Sequence, residues 1–279
     1  MARPSPTEKR KTFRALHQSG CFVIPNPWNV GSARYLQNLG FKALATTSSG
    51  FAHSIGLADG VVTRDMTVAH YRELAAATDV PLNADYEGGF ADKPDDVAEN
   101  VRLCVETGVA GLSIEDYTGN NANPLYDFDL AVARVKAARK AIDAAGGDVV
   151  FTARSEGFIR GRPDMAETLR RLKAFADAGA DCLYPPGIKT REEIETVVKA
   201  VAPTPVNLLM SAATGLSVAQ ITAMGVRRIS VGGTLARVAM HAFIKSAREI
   251  AEQGTFDRFA GVISNAELNG FFADDRKKR

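Results

Sequence analysis

Cysteine, histidine and tryptophan are scarce in this 279-residue chain, at three, four and one. Cys21, Cys104 and Cys182 lie far apart with no C-x-x-C pair. That excludes a disulfide framework and leaves structural thiols in a reducing, cytoplasmic compartment as the expectation. His17, His53, His70 and His241 form no ligand pair, so zinc is not expected. No run of about 18 apolar residues occurs, so no membrane-spanning helix is expected. The basic start is not followed by the apolar stretch of a secretory leader. A basic body is missing too. The formal charge of +2 averages a +4 stretch over residues 1–14, a +2 tail over 274–279 and a −4 remainder. Nucleic-acid binders carry clustered positive charge on the folded body, so neither nucleic acid nor membrane is expected as a partner.

What is present is a repeated pattern. Four segments open on a glycine and run into a β-rich apolar stretch, at Gly40, Gly108, Gly179 and Gly225. Each follows helical periodicity, so each glycine reads as a helix end leading into a strand. The intervals of 68, 71 and 46 residues each hold two strand–helix units. Intervening strands start near Cys21, Val80, Asp148 and Thr204, which predicts eight: 22–25, 42–47, 81–85, 110–115, 149–153, 181–185, 205–209 and 228–231. Short apolar runs without strict alternation suit parallel strands covered on both faces.

The fold expected is therefore α/β, a single (β/α)8 TIM barrel domain over 1–279 with an N-terminal helix and extra C-terminal helices. An open doubly wound sheet would place a glycine-rich turn after the first strand, where this chain has Pro25-Asn-Pro-Trp-Asn-Val-Gly. Residues 254–279 exceed what barrel closure needs. Their apolar stripe of Val262, Ile263, Leu268, Phe271 and Phe272 predicts packing on a neighbouring subunit, in a homodimer or homotetramer.

Barrel enzymes carry their reactive groups at the C-terminal strand ends. Here strand 2 ends in Thr46-Thr47-Ser48-Ser49-Gly50-Phe51 and strand 3 in Asn83-Ala84-Asp85-Tyr86-Glu87. Strand 4 ends in Glu115-Asp116-Tyr117, strand 5 in Arg154-Ser155-Glu156, strand 7 in Asn207. Asp85, Glu87, Glu115 and the Asn83 amide are hard oxygen donors without His or Cys, which suits Mg²⁺ first and Mn²⁺ second. Arg154 beside them points to a small anionic substrate bearing a carboxylate, which a guanidinium fork matches. The Ser49–Gly50 turn offers backbone N–H groups to a carboxylate or oxyanion. Gly232-Gly233 fits a phosphate cradle or a plain turn. Tyr86, Tyr117 and Tyr184 are proton donors by type, but tyrosine at a barrel rim is first of all packing. The Asn- and Gly-rich stretch 118–124 predicts a mobile gate.

These residues carry a resemblance to the isocitrate lyase / phosphoenolpyruvate mutase superfamily, spanning nearly the whole chain. Val23-Ile-Pro-Asn-Pro-Trp-Asn-Val-Gly-Ser-Ala-Arg34 is similar to its first-strand signature ending in S-A-R. Ser49-Gly50 resembles its substrate-binding turn, Gly56-Leu-Ala-Asp59 its G-x-x-D, Asn83-Ala-Asp85 its D-A-D, Ile114-Glu115-Asp116 its I-E-D and Ala153-Arg154 its A-R. The resemblance implies a metal-dependent barrel acting on small α-keto or 2-hydroxy acids. Asp85, Asp59 and Glu115 would bind Mg²⁺ directly or through water. Thr47, Ser49, Gly50, Phe51, Asn207 and Arg154 would hold substrate and stabilise a pyruvate enolate, with Arg154, Glu115 and Asp85 at the catalytic centre.

The chain departs from the family in places that bear on the reaction. The lyases' K-x-C-G-H loop after strand 4 is replaced by Tyr117-Thr-Gly-Asn-Asn-Ala-Asn-Pro124. Arg154-Ser-Glu156-Gly-Phe-Ile159 is closer to the mutases, whose histidine after strand 6 is here Pro186. Asn83 removes one charge from the metal shell, for which Glu87 is a compensating donor. The expected activity is a Mg²⁺-dependent lyase or decarboxylase on an oxaloacetate-like or 2-hydroxydicarboxylate substrate. Phosphonopyruvate-type P–C mutase or hydrolase chemistry and a non-catalytic keto-acid-binding barrel are the alternatives.

Overall fold

The computed structural model describes residues 3–278. Helix α1 (Pro6–Leu16) precedes eight strands: β1 (Phe22–Ile24), β2 (Leu44–Ala45), β3 (Leu82–Asp85), β4 (Gly111–Glu115), β5 (Val150–Arg154), β6 (Cys182–Tyr184), β7 (Asn207–Leu209) and β8 (Arg228–Ser230). Between them run α2 (Val30–Asn38), α3 (Ser48–Ser54), α4 (Arg64–Ala77), α5 (Pro94–Val105), α6 (Phe128–Ala144), α7 (Met165–Asp177), α8 (Arg191–Val201) and α9 (Val218–Ala223). After β8 come α10 (Thr234–Gln253), a 3₁₀ turn (Asp257–Phe259) and α11 (Asn265–Lys277). Each predicted strand is present, and Gly40, Gly108, Gly179 and Gly225 all hold the left-handed backbone expected beyond a helix end.

The strands are parallel, and the first pairs with the last, Val23 opposite Ile229. They form two sheets, β2-β3-β4-β5-β6 and β1-β8-β7, rather than one continuous hydrogen-bonded ring. The expected closed ladder is corrected at two seams, and each carries a proline. Between β6 and β7 there is a single bridge, Leu183 to Val206, with the Leu183 N–H donating to the Pro205 carbonyl at 2.8 Å. Between β1 and β2 the Ala45 N–H donates to the Pro25 carbonyl at 3.1 Å. Proline accepts but cannot donate, so neither seam extends into a ladder. The Asn26 side chain stitches the second seam. Its Nδ2 donates to the Thr46 carbonyl at 2.8 Å, and its Oδ1 accepts from the N–H groups of Val231 and Gly232.

Helix α1 seals the barrel floor. Its first turn is closed by a capping box between Ser5 and Glu8. Its fully buried Phe13 packs edge-on to His17 and Phe22. A Cβ at position 111 would lie 2.5 Å from the Phe13 ring and 2.6 Å from Asn83 Oδ1, so β4 must begin on glycine for the helix to seat.

At the other end of the chain, α11 folds back onto α2. Asp275 accepts from Arg34 Nε at 2.9 Å and Nη2 at 2.5 Å, both side chains being buried, and Phe271 packs on Tyr35. Helix α10 is different: only Ala236 and Glu249 along it are buried, and Val238 and Phe243 are 61% and 65% exposed. Among the described residues no helix is long and apolar enough to cross a membrane.

Candidate active site

The C-terminal strand ends surround a cavity of about 780 Å³, lined from every strand of both sheets. Six carboxylates line it (Asp59, Asp85, Glu87, Asp92, Glu115 and Glu156) against three arginines, Arg154, Arg160 and Arg228. The strand period of two turns Asn83 and Asp85, Ser113 and Glu115, and Thr152 and Arg154 to the same interior.

Arg154 is the hub. Its guanidinium meets Asp85 at 2.5 Å, Glu115 at 2.9 Å and Glu156 at 2.8 Å, and it lies 5.0 Å from the centre of the Tyr184 ring. Arg160 supports the same carboxylates, 3.2 Å from Glu156 and 3.6 Å from Glu115, and stacks on Tyr117 at 3.5 Å. Asp85 is engaged on both oxygens, since Oδ2 accepts from the Ser48 N–H at 3.1 Å. The N–H of Asp85 donates to Thr46 Oγ1 at 2.8 Å, which ties strand 3 to strand 2.

Burial, and after it the crowding of negative charge, shows in the proton affinities. Burial pushes the Glu115 carboxyl well above its ordinary range, and Arg154 pulls against it. Glu87 is pushed up to about 7 by burial and by the neighbouring Asp85 and Asp59. Its backbone is also strained, with φ +46°, and its carbonyl accepts from the Glu115 N–H at 2.9 Å. Asp116 points away from this chemistry. It accepts from the Glu156 N–H at 2.8 Å and from Arg171 at 3.1 Å, and so anchors the base of the cluster.

The strand-2 turn forms one wall. Thr47 caps α3, accepting from the Gly50 N–H at 3.3 Å, and its hydroxyl lies 3.3 Å from that of Ser49. A Cβ on Gly233 would stand 2.4 Å from Ser49 Oγ, so the glycine before α10 lets the last loop close on this turn. Gly50 and Phe51 do not line the cavity. The Phe51 ring stacks on buried His70 with centroids 3.8 Å apart.

The other expected residues are placed as follows. Thr47, Ser49, Asp59, Asn83, Asp85, Glu87, Glu115, Arg154 and Asn207 all line the cavity. Asn207 is buried, with both ends of its amide engaged, to Arg228 and Ser230. Sequence reasoning left Asn26, Arg160, Arg228 and Ser230 out of the site, named Glu156 only as a strand-end residue and read Tyr184 first of all as packing. Glu156 was within reach, since it stands two residues beyond Arg154 on the same strand end.

Among the described residues no three carboxylate, histidine or cysteine side chains stand as a ready-made metal cage. The donors that line the cavity are nonetheless all oxygens, and like charges crowd at Asp59, Asp85 and Glu87. Asn83 Oδ1 is buried without a hydrogen-bond partner. That set fits a hard cation that keeps several waters, such as Mg²⁺, better than a dehydrated or soft one.

Comparison with known proteins agrees with this geometry. Residues 13–251 match the phosphoenolpyruvate phosphomutase family. A solved structure from Burkholderia cenocepacia J2315, named as a provisional lyase/mutase, is 45% identical, covers 96% of this chain and 97% of its own, and superposes with a TM-score of 0.93. An uncharacterised Mycobacterium tuberculosis H37Rv protein is 33% identical over 94% of this chain and 96% of its own length. The oxaloacetate decarboxylase of Paraburkholderia xenovorans LB400 is 29% identical over 74% of this chain and 69% of its own. A phosphonopyruvate hydrolase solved with oxalate and Mg²⁺ is 26% identical, covers 97% of this chain and 96% of its own, and has a TM-score of 0.84. The chain belongs to the phosphoenolpyruvate phosphomutase family, within the isocitrate lyase / phosphoenolpyruvate mutase superfamily of lyases and mutases.

Proposed function

We propose that the chain is a Mg²⁺-assisted lyase of the decarboxylase type, acting on a small α-keto dicarboxylic acid such as oxaloacetate through a pyruvate enolate. The observation that carries this reading is a contrast within the site. Arg154 and Ser49 line one cavity and offer donors that suit a keto-acid carboxylate, yet the loop from Tyr117 to Pro124 holds no Lys, Cys or His. Cleaving a 2-hydroxy acid needs a base to take the hydroxyl proton. Loss of CO₂ from a β-keto acid needs none, because the C3–C4 electrons pass directly to the C2 carbonyl. What that step requires is stabilisation of the enolate oxygen.

The chain's own residues supply the positioning. Arg154 pairs with the keto-acid carboxylate, and the Ser49 hydroxyl and amide bound its other side. Asp85, Glu115 and Glu156 hold the guanidinium in place. Asp85, with Asp59, Glu87, Glu115 and Asn83 around it, would hold Mg²⁺, which supplies positive charge opposite the developing enolate oxygen. The cation also reverses the sign of an acidic site that must admit a dianion. The full (β/α)8 barrel belongs to this reading: its two seams sit at prolines and leave the eight strand ends around one mouth.

Purified protein with Mg²⁺ should release pyruvate from oxaloacetate, and chelation should abolish it. Pyruvate from phosphonopyruvate alone would support the P–C alternative, which the Arg154-Ser-Glu156 pattern favours. Oxalate binding with no turnover of either acid would support a binding barrel. We propose in addition a homodimer or homotetramer, in which the exposed α10 and the apolar Phe256, Phe259, Val262 and Ile263 are covered by a second copy. A monomer by light scattering at micromolar concentration would sink that.

A further inference from the structure

A hydrogen-bond chain climbs the barrel interior from floor to mouth, and its direction follows from groups that can only donate or only accept. The Phe13 carbonyl lies 2.8 Å from His17 Nδ1, so that nitrogen carries the proton and Nε2 is left to accept from Arg228 Nη1 at 3.3 Å. Burial and Arg228 push His17 down to about 3, so it is neutral. Arg228 is 3% exposed and also donates to Thr152 Oγ1 at 2.9 Å and to Asn207 Oδ1 at 2.8 Å. A guanidinium never accepts, so the Asn207 carbonyl is fixed toward it. Asn207 Nδ2 therefore faces Ser230 Oγ, at 2.9 Å.

An amide nitrogen donates, so Ser230 must accept there and keeps its own proton for another partner. Tyr184 lines the same cavity as Ser230, and the Ser230 hydroxyl acts to lower the proton affinity of the phenol, as a donor to its oxygen does. By accepting from Ser230, Tyr184 leaves its own proton for the cavity that it lines. The other two cavity tyrosines have spent theirs: Tyr117 donates to Asn121 Oδ1 at 2.9 Å, and Tyr126 donates to Asp92.

We propose that Tyr184 is the catalytic proton donor of this site, delivering its phenolic proton to C3 of the enolate, with Arg228, Asn207 and Ser230 as positioning residues that aim it. The proposal rests on the enolate reading above and supplies a proton donor where the loop from Tyr117 to Pro124 offers no Lys, Cys or His. In the step, the Tyr184 O–H bond breaks, a C3–H bond forms and the enolate returns to the ketone. The phenolate then takes a proton from cavity water, so one proton is consumed for each CO₂ released. Burial raises the phenol to about 12, which keeps it protonated at neutral pH, while Arg154 and Ser230 act to stabilise the phenolate.

The test is exchange of the pyruvate methyl protons in D₂O with Mg²⁺, followed by NMR, beside oxaloacetate decarboxylation. Exchange runs the same proton transfer in both directions and needs no decarboxylation. Oxalate binding is read from the fluorescence of Trp28, the single tryptophan, which packs beside Gly50. The wild type should exchange, and Tyr184→Phe should slow exchange about 100-fold or more with oxalate binding kept. Exchange at the wild-type rate in Tyr184→Phe overturns the proposal, as does a wild type that decarboxylates but never exchanges. A wild type that exchanges pyruvate but leaves oxaloacetate untouched defeats the decarboxylase reading alone, and Tyr184→Phe still decides the donor. Absence of both reactions overturns both. If Tyr184→Phe loses oxalate binding, Ser230→Ala decides: slowed exchange with oxalate bound supports the aimed phenol, and an unchanged rate overturns it.

Discussion

Arg154 and Arg228 are two guanidiniums inside one barrel, lining one cavity, and they keep opposite company. Arg154 meets three carboxylates and Arg228 only neutral acceptors: an amide, a hydroxyl and an imidazole. A buried charge is costly unless it is paired or fully hydrogen-bonded. The mouth solves this with excess negative charge, which keeps the arginine fixed and makes room for a cation. The floor solves it with geometry, spending a full set of fixed dipoles on one arginine. The first arrangement suits binding and release of an anion; the second fixes the orientation of everything above it.

Removing each arginine should therefore fail differently. Arg154→Ala should cost the largest effect, about 10³-fold in kcat/KM for oxaloacetate, and should abolish oxalate binding. Arg228→Met should cost stability instead, about 2–4 kcal/mol in urea unfolding, because Asn207, Thr152 and His17 lose their donor together. Oxalate should still bind. If Arg228→Met abolished oxalate binding with unfolding unchanged, the two arginines would be alike in role and the comparison would break.

The sequence reveals the mouth but not the floor, and the reason is parity. Asp85, Glu115 and Arg154 stand at the ends of recognisable strands, where only one direction is open to a charged side chain. Arg227 and Arg228 are adjacent in Gly225-Val-Arg-Arg-Ile, and composition cannot say which turns inward. In the fold Arg227 donates to the Gly20 carbonyl at the surface, and Arg228 enters the core. The seams were hidden for a related reason, since Pro25 and Pro205 are visible but their effect on pairing depends on which strand lies alongside. The C-terminal stripe divides likewise. Phe271 is used within the chain because Asp275 finds Arg34, a partner 241 residues away that no local pattern announces, while Val262 and Ile263 stay exposed.

The excess charge at the mouth has a pH signature. Glu87 titrates near 7 in the folded protein against an ordinary 4.5, so the native state binds more protons between those values. Its contribution to stability is full below 4.5 and is lost as pH rises through 7. Without Mg²⁺, Tm should fall across that window, and Glu87→Gln should fall less. Mg²⁺ should raise Tm more at pH 8 than at pH 5, because only the ionised site attracts it. A Mg²⁺ effect independent of pH would place the cation away from Glu87.

The smallest change tests whether the floor intrudes on the mouth. Asn83 sits one layer below Asp85, with an unpartnered buried oxygen that lies close to Phe13 and Gly111. Asn83→Asp adds a carboxylate to the cation's surroundings, and Mg²⁺ affinity, read by calorimetry, should rise about tenfold, or ~1.4 kcal/mol. The metal-free protein should become less stable by a similar step, because the new charge is buried beside that of Asp85. If affinity stays flat while stability falls, Asn83 belongs with Arg228 to the interior that aims the site, and the metal shell is made by Asp85 and its carboxylate neighbours alone.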